Sequence, residues 1–283
     1  MDIAPIPARA SLGAMTDPLP TRLGFGVSGA LGTPLIAADK VCALVHAAFE
    51  GGLVHFDTAP AYGAGEAERR LGLALRDLPR DALHLSTKAG ILSRGLARRQ
   101  RDFTPDAIEA SLRASLLRLG VDGVDTLFLH GAAVQEWTPD LRRRLDDLRA
   151  AGAFVRLGAA GRGPELDAAL DAGARAIMCP VHPFMDDAMK ARLVRARSAG
   201  CAVFAIETSG PGRSPVTPPR RVTDLYRLAR SLRALAVPGA PSRLRVPVAE
   251  GLRHALDHPH VDIALMTTTR LDHLAGNLAL SRA

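Results

Sequence analysis

Asp57, Tyr62, Lys88 and His130 are a carboxylate, a phenol, an ammonium and an imidazole, each ending or following a short β-rich run. The first two share the stretch His55 to Gly72, HFDTAPAYGAGEAERRLG. A free phenol has a pKa near 10, too high for efficient acid–base work at neutral pH. A cation beside it stabilises the phenolate, and a buried ammonium does so without spoiling the phenol as a donor. Lys88 suits that part, with Asp57 holding it charged and oriented. His130 suits a hydrogen bond to a carbonyl oxygen or to the phenol. Together the four would deliver a proton to a carbonyl oxygen while another reactant delivers hydride to its carbon. Each also has a plainer reading. A strand-end acid often only caps the next helix, a loop tyrosine often packs, and a strand histidine is often a satisfied core residue.

The elements that must position them alternate. Strand-like runs at 22–27, 54–57, 83–87, 125–129, 154–159, 176–181, 202–206 and 262–266 are followed by helical patterns. The first helix, 37–51, carries Val41, Leu44, Val45, Ala48 and Phe49 at helical spacing and ends at Gly51-Gly52. Thr104-Pro105 opens a helix with an N-cap threonine and a proline at its first position. Further helices are expected over 66–75, 139–151, 164–172, 186–199, 222–235, 246–256 and 270–281, with a Pro/Gly-rich loop at 209–219. Eight strand–helix units imply a parallel sheet. Gly24 and Gly26 lack the third glycine and the later acid of a dinucleotide-binding turn. A closed (β/α)8 TIM barrel over 21–283 fits better, with 1–20 as an N-terminal arm. The C-terminal ends of barrel strands face the active site, which is where the four residues fall.

Composition narrows the function classes. A hydrophobic content of 47% supports a sizeable core, but only 4% of the residues are aromatic, so Ala, Leu and Val must do most of the packing. The net charge is +7, and with Lys40, Lys88 and Lys190 the only lysines, the surplus is arginine. Arg98, Arg99 and Arg101 lack interleaved aromatics, so a solvated arginine-rich surface is expected rather than nucleic-acid binding. Cys42, Cys179 and Cys201 are scattered and odd in number, which fits a reducing cytoplasm. No apolar run nears the ~18 residues of a membrane span. The first twenty residues carry four prolines and no unbroken apolar stretch, unlike a signal peptide. No His/Cys/Asp group has zinc spacing. Met178 and Met266 read as core or pocket lining. Trp137, His182 and Ile206 are candidate substrate-pocket residues near strand ends.

Four segments, FDTAPAYGAGEAERRLGLAL (56–75), LSTKAG (85–90), SLLRLGVDGVDTLFLH (115–130) and HLAGNLA (273–279), resemble the aldo-keto reductase superfamily. The first half is most similar to its aldose/pyridoxal dehydrogenase-like branch. The resemblance puts the family's catalytic tetrad on Asp57, Tyr62, Lys88 and His130. It implies a tyrosine general acid/base, NADP(H) or NAD(H) as cofactor, no metal, and a small-molecule carbonyl/alcohol substrate.

The second half departs from the family pattern. A Gly-Val-Ser-Asn run that holds the nicotinamide amide is replaced by Gly158-Ala159-Ala160-Gly161. A glutamine is replaced by Met178, and a stacking aromatic by Ile206, followed by Glu207-Thr208-Ser209. A glycine and a glutamate of the adenosine site become Thr267 and Gly276, leaving Thr268, Thr269, Arg270 and Asn277 for the phosphate or adenine end. Each lost amide hydrogen bond weakens binding by roughly 1 kcal/mol, and the lost stack by about as much. The alternative expectation is therefore a redox-silent dehydratase, lyase, isomerase or cyclase that reuses the tetrad. A non-catalytic barrel subunit is the third reading, opposed by the intact ionisable set.

Overall fold

The computed structural model describes residues 22–93, 99–212, 226, 228 and 244–282. The expected arm at 1–20 lies outside them, as does the helix expected over 222–235 except at positions 226 and 228, which are helical.

Eight parallel strands close on themselves: β1 (Leu23–Gly26), β2 (His55–Asp57), β3 (His84–Ala89), β6 (Val124–His130), β7 (Phe154–Ala160), β8 (Ala176–Pro180), β9 (Ala202–Ile206) and β10 (Ile263–Met266), which pairs back to β1. The TIM barrel expected from the alternating pattern is the fold. Between the strands run α1 (Ala38–Glu50), α2 (Glu66–Leu75), α3 (Pro105–Leu119), α4 (Pro139–Ala150), α5 (Pro164–Asp171) and α6 (Asp187–Ser198); α7 (Val248–Asp257) and α8 (Leu271–Arg282) flank β10. The sequence reading did not foresee an antiparallel hairpin after β3, of β4 (Ile91–Ser93) and β5 (Arg99–Arg101). Three-residue strands are too short to register as an alternating pattern.

Local chemistry sets the helix ends. Thr138 accepts a hydrogen bond from the Leu141 amide (3.2 Å) and Asp186 from that of Met189 (2.8 Å). Thr104 occupies the N-cap of α3 as expected, but its side chain does not cap it. Its hydroxyl donates instead to Asp102 (2.8 Å), which also accepts the Thr104 amide (3.0 Å). Proline follows at the first helical position of α3, and Gly120 ends it in the left-handed region (φ +70°).

There are two packed layers. The larger lies between barrel and helices and is built mainly from Leu, Val and Ala, with Phe25 and Phe56 edge to face across β1 and β2. The smaller fills the barrel interior with Phe128, Ala160, Ala176, Met178, Phe204 and Ile263. Side chains alternate along a strand, so Asp57 shares its face with His55, and Lys88 shares its face with Ser86.

Candidate active site

Asp57 ends β2, where three consecutive residues are buried. Beyond it the chain must turn sharply to start α2. Gly63, Ala64 and Gly65 all take left-handed backbone (φ +63°, +55° and +90°). A side chain at Gly63 would also be impossible on space alone, since a Cβ there would stand 1.9 Å from the Gly32 carbonyl. This contact ties the Tyr62 loop to the β1–α1 connection. The same connection is held by Arg70 of α2, which is buried. Its Nη1 donates to the carbonyls of Leu31 (2.9 Å), Thr33 (2.9 Å) and Ile36 (2.7 Å), while Nε pairs with Glu66 (2.6 Å). Glu68, fully buried, accepts from Thr87 (2.6 Å) and Arg118 (2.7 Å), joining α2 to β3 and α3.

On this frame Lys88 and Asp57 meet. The Lys88 ammonium donates to Asp57 Oδ2 at 2.6 Å and to the Thr58 carbonyl at 2.9 Å, and both side chains are almost wholly buried. It also stands 5.2 Å from the centre of the Tyr62 ring. Burial disfavours the ammonium, yet the charges of Asp57 and then Tyr62 outweigh it and raise the pKa above lysine's ordinary value. His130 ends β6, the neighbour of β3, and is half-buried. The register that pairs Lys88 with Phe128 sets His130 two residues further toward the mouth. Ser86, which sequence reasoning passed over, donates to Asp57 Oδ1 at 2.7 Å. Its signal was its place two residues before Lys88 on one strand, hence on the same face.

The opposite side of the mouth is different. Ala160, Met178 and Ile206 come from β7, β8 and β9 and belong to or pack on the apolar barrel interior. Just past these strands an ion pair bridges the exits of β7 and β9. Arg162 donates to Glu207 through Nε (3.1 Å) and through a second, shorter contact from Nη2. The Glu207 bond, ahead of opposing burial, raises the Arg162 pKa, and the charge of Tyr62 adds to it. Glu207 is itself in the left-handed region (φ +52°), unusual for a residue with a side chain. Nearby, His182 is buried and accepts the Phe184 amide on Nδ1 (3.2 Å); burial depresses its pKa. Trp137 is 5% exposed within the larger core layer, and its Nε1 has no hydrogen-bond partner among the described residues.

The family model described as "Aldo/keto reductase family" matches residues 22–177, more than half of the chain. This chain belongs to the aldo/keto reductase family. Over 141 residues it is 38% identical to a D-threo-aldose 1-dehydrogenase from a Pseudomonas species, covering 43% of this chain and 40% of that protein. Over 74 residues it is 43% identical to a pyridoxal 4-dehydrogenase from Microbacterium luteolum, covering 25% and 21%. The chain thus spans two fifths or less of the length of these curated relatives, and both names agree with the branch its first half resembles. Among solved structures, the glycerol dehydrogenase of Gluconobacter oxydans superposes with a TM-score of 0.70 at 22% identity, over 95% of this chain and 89% of that one. That likeness is one of fold.

Aldo/keto reductase membership raises the question of a nicotinamide cofactor. The side chains at the positions expected to hold its carboxamide do not fit it, since an amide needs paired donors and acceptors. Ala160, Met178 and Ile206 offer none, and Arg162 and Glu207 are engaged with each other. At Gly161 an added Cβ would lie 2.5 Å from the Glu165 side chain, whose carboxylate accepts the Arg162 amide (2.6 Å). Space for a longer side chain there is already filled. Among the residues expected at the phosphate end, Arg270 is paired with Asp272 through Nε (2.8 Å) and a shorter second contact. Thr268 Oγ1 accepts the Arg270 amide (3.2 Å), Asn277 donates to Met266 Sδ (3.6 Å), and Thr269 is half-buried. Among the described residues no group of His, Cys, Asp and Glu could hold a metal ion, and no helix is long and apolar enough to cross a membrane.

Proposed function

We propose that this chain is an aldo-keto reductase-type enzyme acting on a small-molecule carbonyl/alcohol pair, with Tyr62 giving or taking the proton at the substrate oxygen. The observation that carries the reading is the buried Lys88 ammonium, 2.6 Å from Asp57 and 5.2 Å from the centre of the Tyr62 ring. When the phenol releases its proton, the phenolate forms beside a cation that is already in place, so little reorganisation accompanies the step. Asp57 keeps that cation from moving or discharging. His130 donates a hydrogen bond to the substrate oxygen and orients it toward the phenol. In the family reading NADP(H) or NAD(H) is the redox partner of this proton. The side chains at the expected amide positions, Ala160, Met178 and Ile206, give it no amide-type hydrogen bond.

Replacing Tyr62 with Phe removes one oxygen and leaves the packing. With a panel of aldehydes and ketones as substrates, we expect turnover to fall at least about a thousandfold. Unchanged turnover would sink the assignment.

A second reading rests on the Arg162–Glu207 bridge and on Glu165 against Gly161. A phenol beside an ammonium can also take a proton next to a carbonyl, giving dehydration, elimination, isomerisation or ring closure without hydride. Turnover in nicotinamide-free buffer supports this reading; strict dependence on added NADPH or NADH excludes it.

A further inference from the structure

The barrel interior beneath Lys88 holds a polar pair that the proton chemistry does not use. His55 lies on β2, two residues before Asp57, and is 2% exposed. Its Nε2 is 3.2 Å from Ser86 Oγ, and Ser86 Oγ is 2.7 Å from Asp57 Oδ1. The ring is walled by Phe204, with centroids 5.0 Å apart, and by the backbone at Gly24, where a Cβ would stand 3.3 Å from His55 Cδ2. His55 Nδ1 is buried with no hydrogen-bond partner among the described residues.

The donors in this chain can be assigned without seeing a hydrogen. Asp57 faces an ammonium at 2.6 Å, so it is a carboxylate and only accepts. Ser86 must therefore spend its single proton on Asp57. Its lone pair then faces His55 Nε2, which must carry a proton to make that contact favourable. A neutral imidazole has one N–H, so Nδ1 is bare, in agreement with its lack of a hydrogen-bond partner among the described residues. The other tautomer would bury an N–H against nothing and set two lone pairs against each other across 3.2 Å.

We propose that His55 and Ser86 are positioning residues: a one-way chain, His55 Nε2–H to Ser86 O–H to Asp57, fixes the plane of the Asp57 carboxylate so that Oδ2 stays on Lys88 and Lys88 stays at Tyr62. The proposal rests on the reading of Asp57, Lys88 and Tyr62 given above. Without Ser86, Oδ1 has no hydroxyl to hold it, and the carboxylate is free to turn about its Cβ–Cγ bond. The chain requires only that Nε2 carry its proton, which a neutral Nε2–H imidazole does. Burial, and then the charges of His84, Arg156 and Lys88, push the His55 pKa down to about 3, which keeps the imidazole neutral near pH 7. The ionisable groups facing Lys88 are Asp57 and Tyr62, with His55 behind Asp57.

The test reads two nuclei and needs no turnover. The chain has three lysines, so a 13C-lysine spectrum resolves Lys88 by comparison with Lys40 and Lys190. In wild-type protein, 15N-histidine correlation spectra should show His55 as a neutral Nε2–H tautomer from pH 5 to 8. Ser86→Ala should lower the Lys88 pKa, read from its Cε shift, by about one unit, equivalent to a tenfold change in its protonation constant. His55→Gln, which keeps a donor near the Nε2 position, should leave that pKa within about 0.3 units of wild type. Either an Nδ1–H tautomer or an unmoved Lys88 in Ser86→Ala overturns the proposal. If Ser86→Ala does not fold, Ser86→Cys, which weakens the donor without emptying the space, is read in the same way. Loss of the Tyr62 assignment would leave these spectra unchanged, so the two readings fail separately.

Discussion

The two sides of the barrel mouth are built by opposite rules. On the β2–β3 side, ionisable and polar groups are buried in direct contact: Asp57, Lys88, Ser86 and His55, with Tyr62 over them. Across the interior, β7 to β9 bring Ala160, Met178, Phe204 and Ile206, and the charges Arg162 and Glu207 remain at the rim. A buried charge costs several kcal/mol unless paired and hydrogen-bonded. The first side meets that cost contact by contact; the second keeps Arg162 and Glu207 at the rim, and burial lowers the pKa of half-buried Arg156 lower on β7. In the proposed function the asymmetry ties proton chemistry to one wall and sets an apolar surface across from it.

The contrast is open to direct attack. Lys88→Met makes the first side resemble the second, but strands Asp57 in the barrel. We expect a loss of about 3–5 kcal/mol, measured by urea unfolding near neutral pH; a loss below about 1 kcal/mol would mean that the pair is not buried in solution.

Acid probes the same side through His55. Its pKa falls from the ordinary 6.5 to about 3 on folding, so the unfolded chain holds more protons throughout that window. The contribution is fully present above pH 6.5 and is lost as the pH falls, reaching roughly 4–5 kcal/mol by pH 3. His55→Gln should flatten this part of the stability curve between pH 7 and 4, and an unaltered slope would show that His55 is not buried neutral.

The second side is sharpened by a cofactor titration. Wild-type protein should bind NADPH weakly by fluorescence. Arg162→Ala with Glu207→Ser, which removes the bridge, should tighten binding about tenfold, near 1.4 kcal/mol. Submicromolar wild-type binding that ignores both substitutions would show that the rim does not govern the ligand.

Most of this architecture is legible in the residues. The eight strand positions follow from short apolar runs, and their ends place Asp57, Lys88 and His130 on one rim because a parallel barrel leaves no other choice. The replacements at Ala160, Gly161, Met178, Ile206 and Glu207 are also readable as losses. What replaces them is not. The Arg162–Glu207 pair joins residues 45 apart in the chain, and Glu165 reaches back over Gly161 only because α5 begins there. The Ser86–Asp57 bond is hidden for a similar reason. Alternation puts both inward, but only the β2–β3 register, which sets Asp57 opposite Ser86, brings them into contact. The β4–β5 hairpin was invisible because its strands carry no period.

Arg70 gathers three carbonyls from the β1–α1 connection, a segment with little regular structure of its own, and that connection in turn blocks any side chain at Gly63. Opening of the first turns of α2 would therefore release both segments together. Their amides should exchange with deuterium as one cooperative unit, at a free energy set by α2 and not by either loop. The lifetime of the Tyr62 loop is then a property of the helix that follows it.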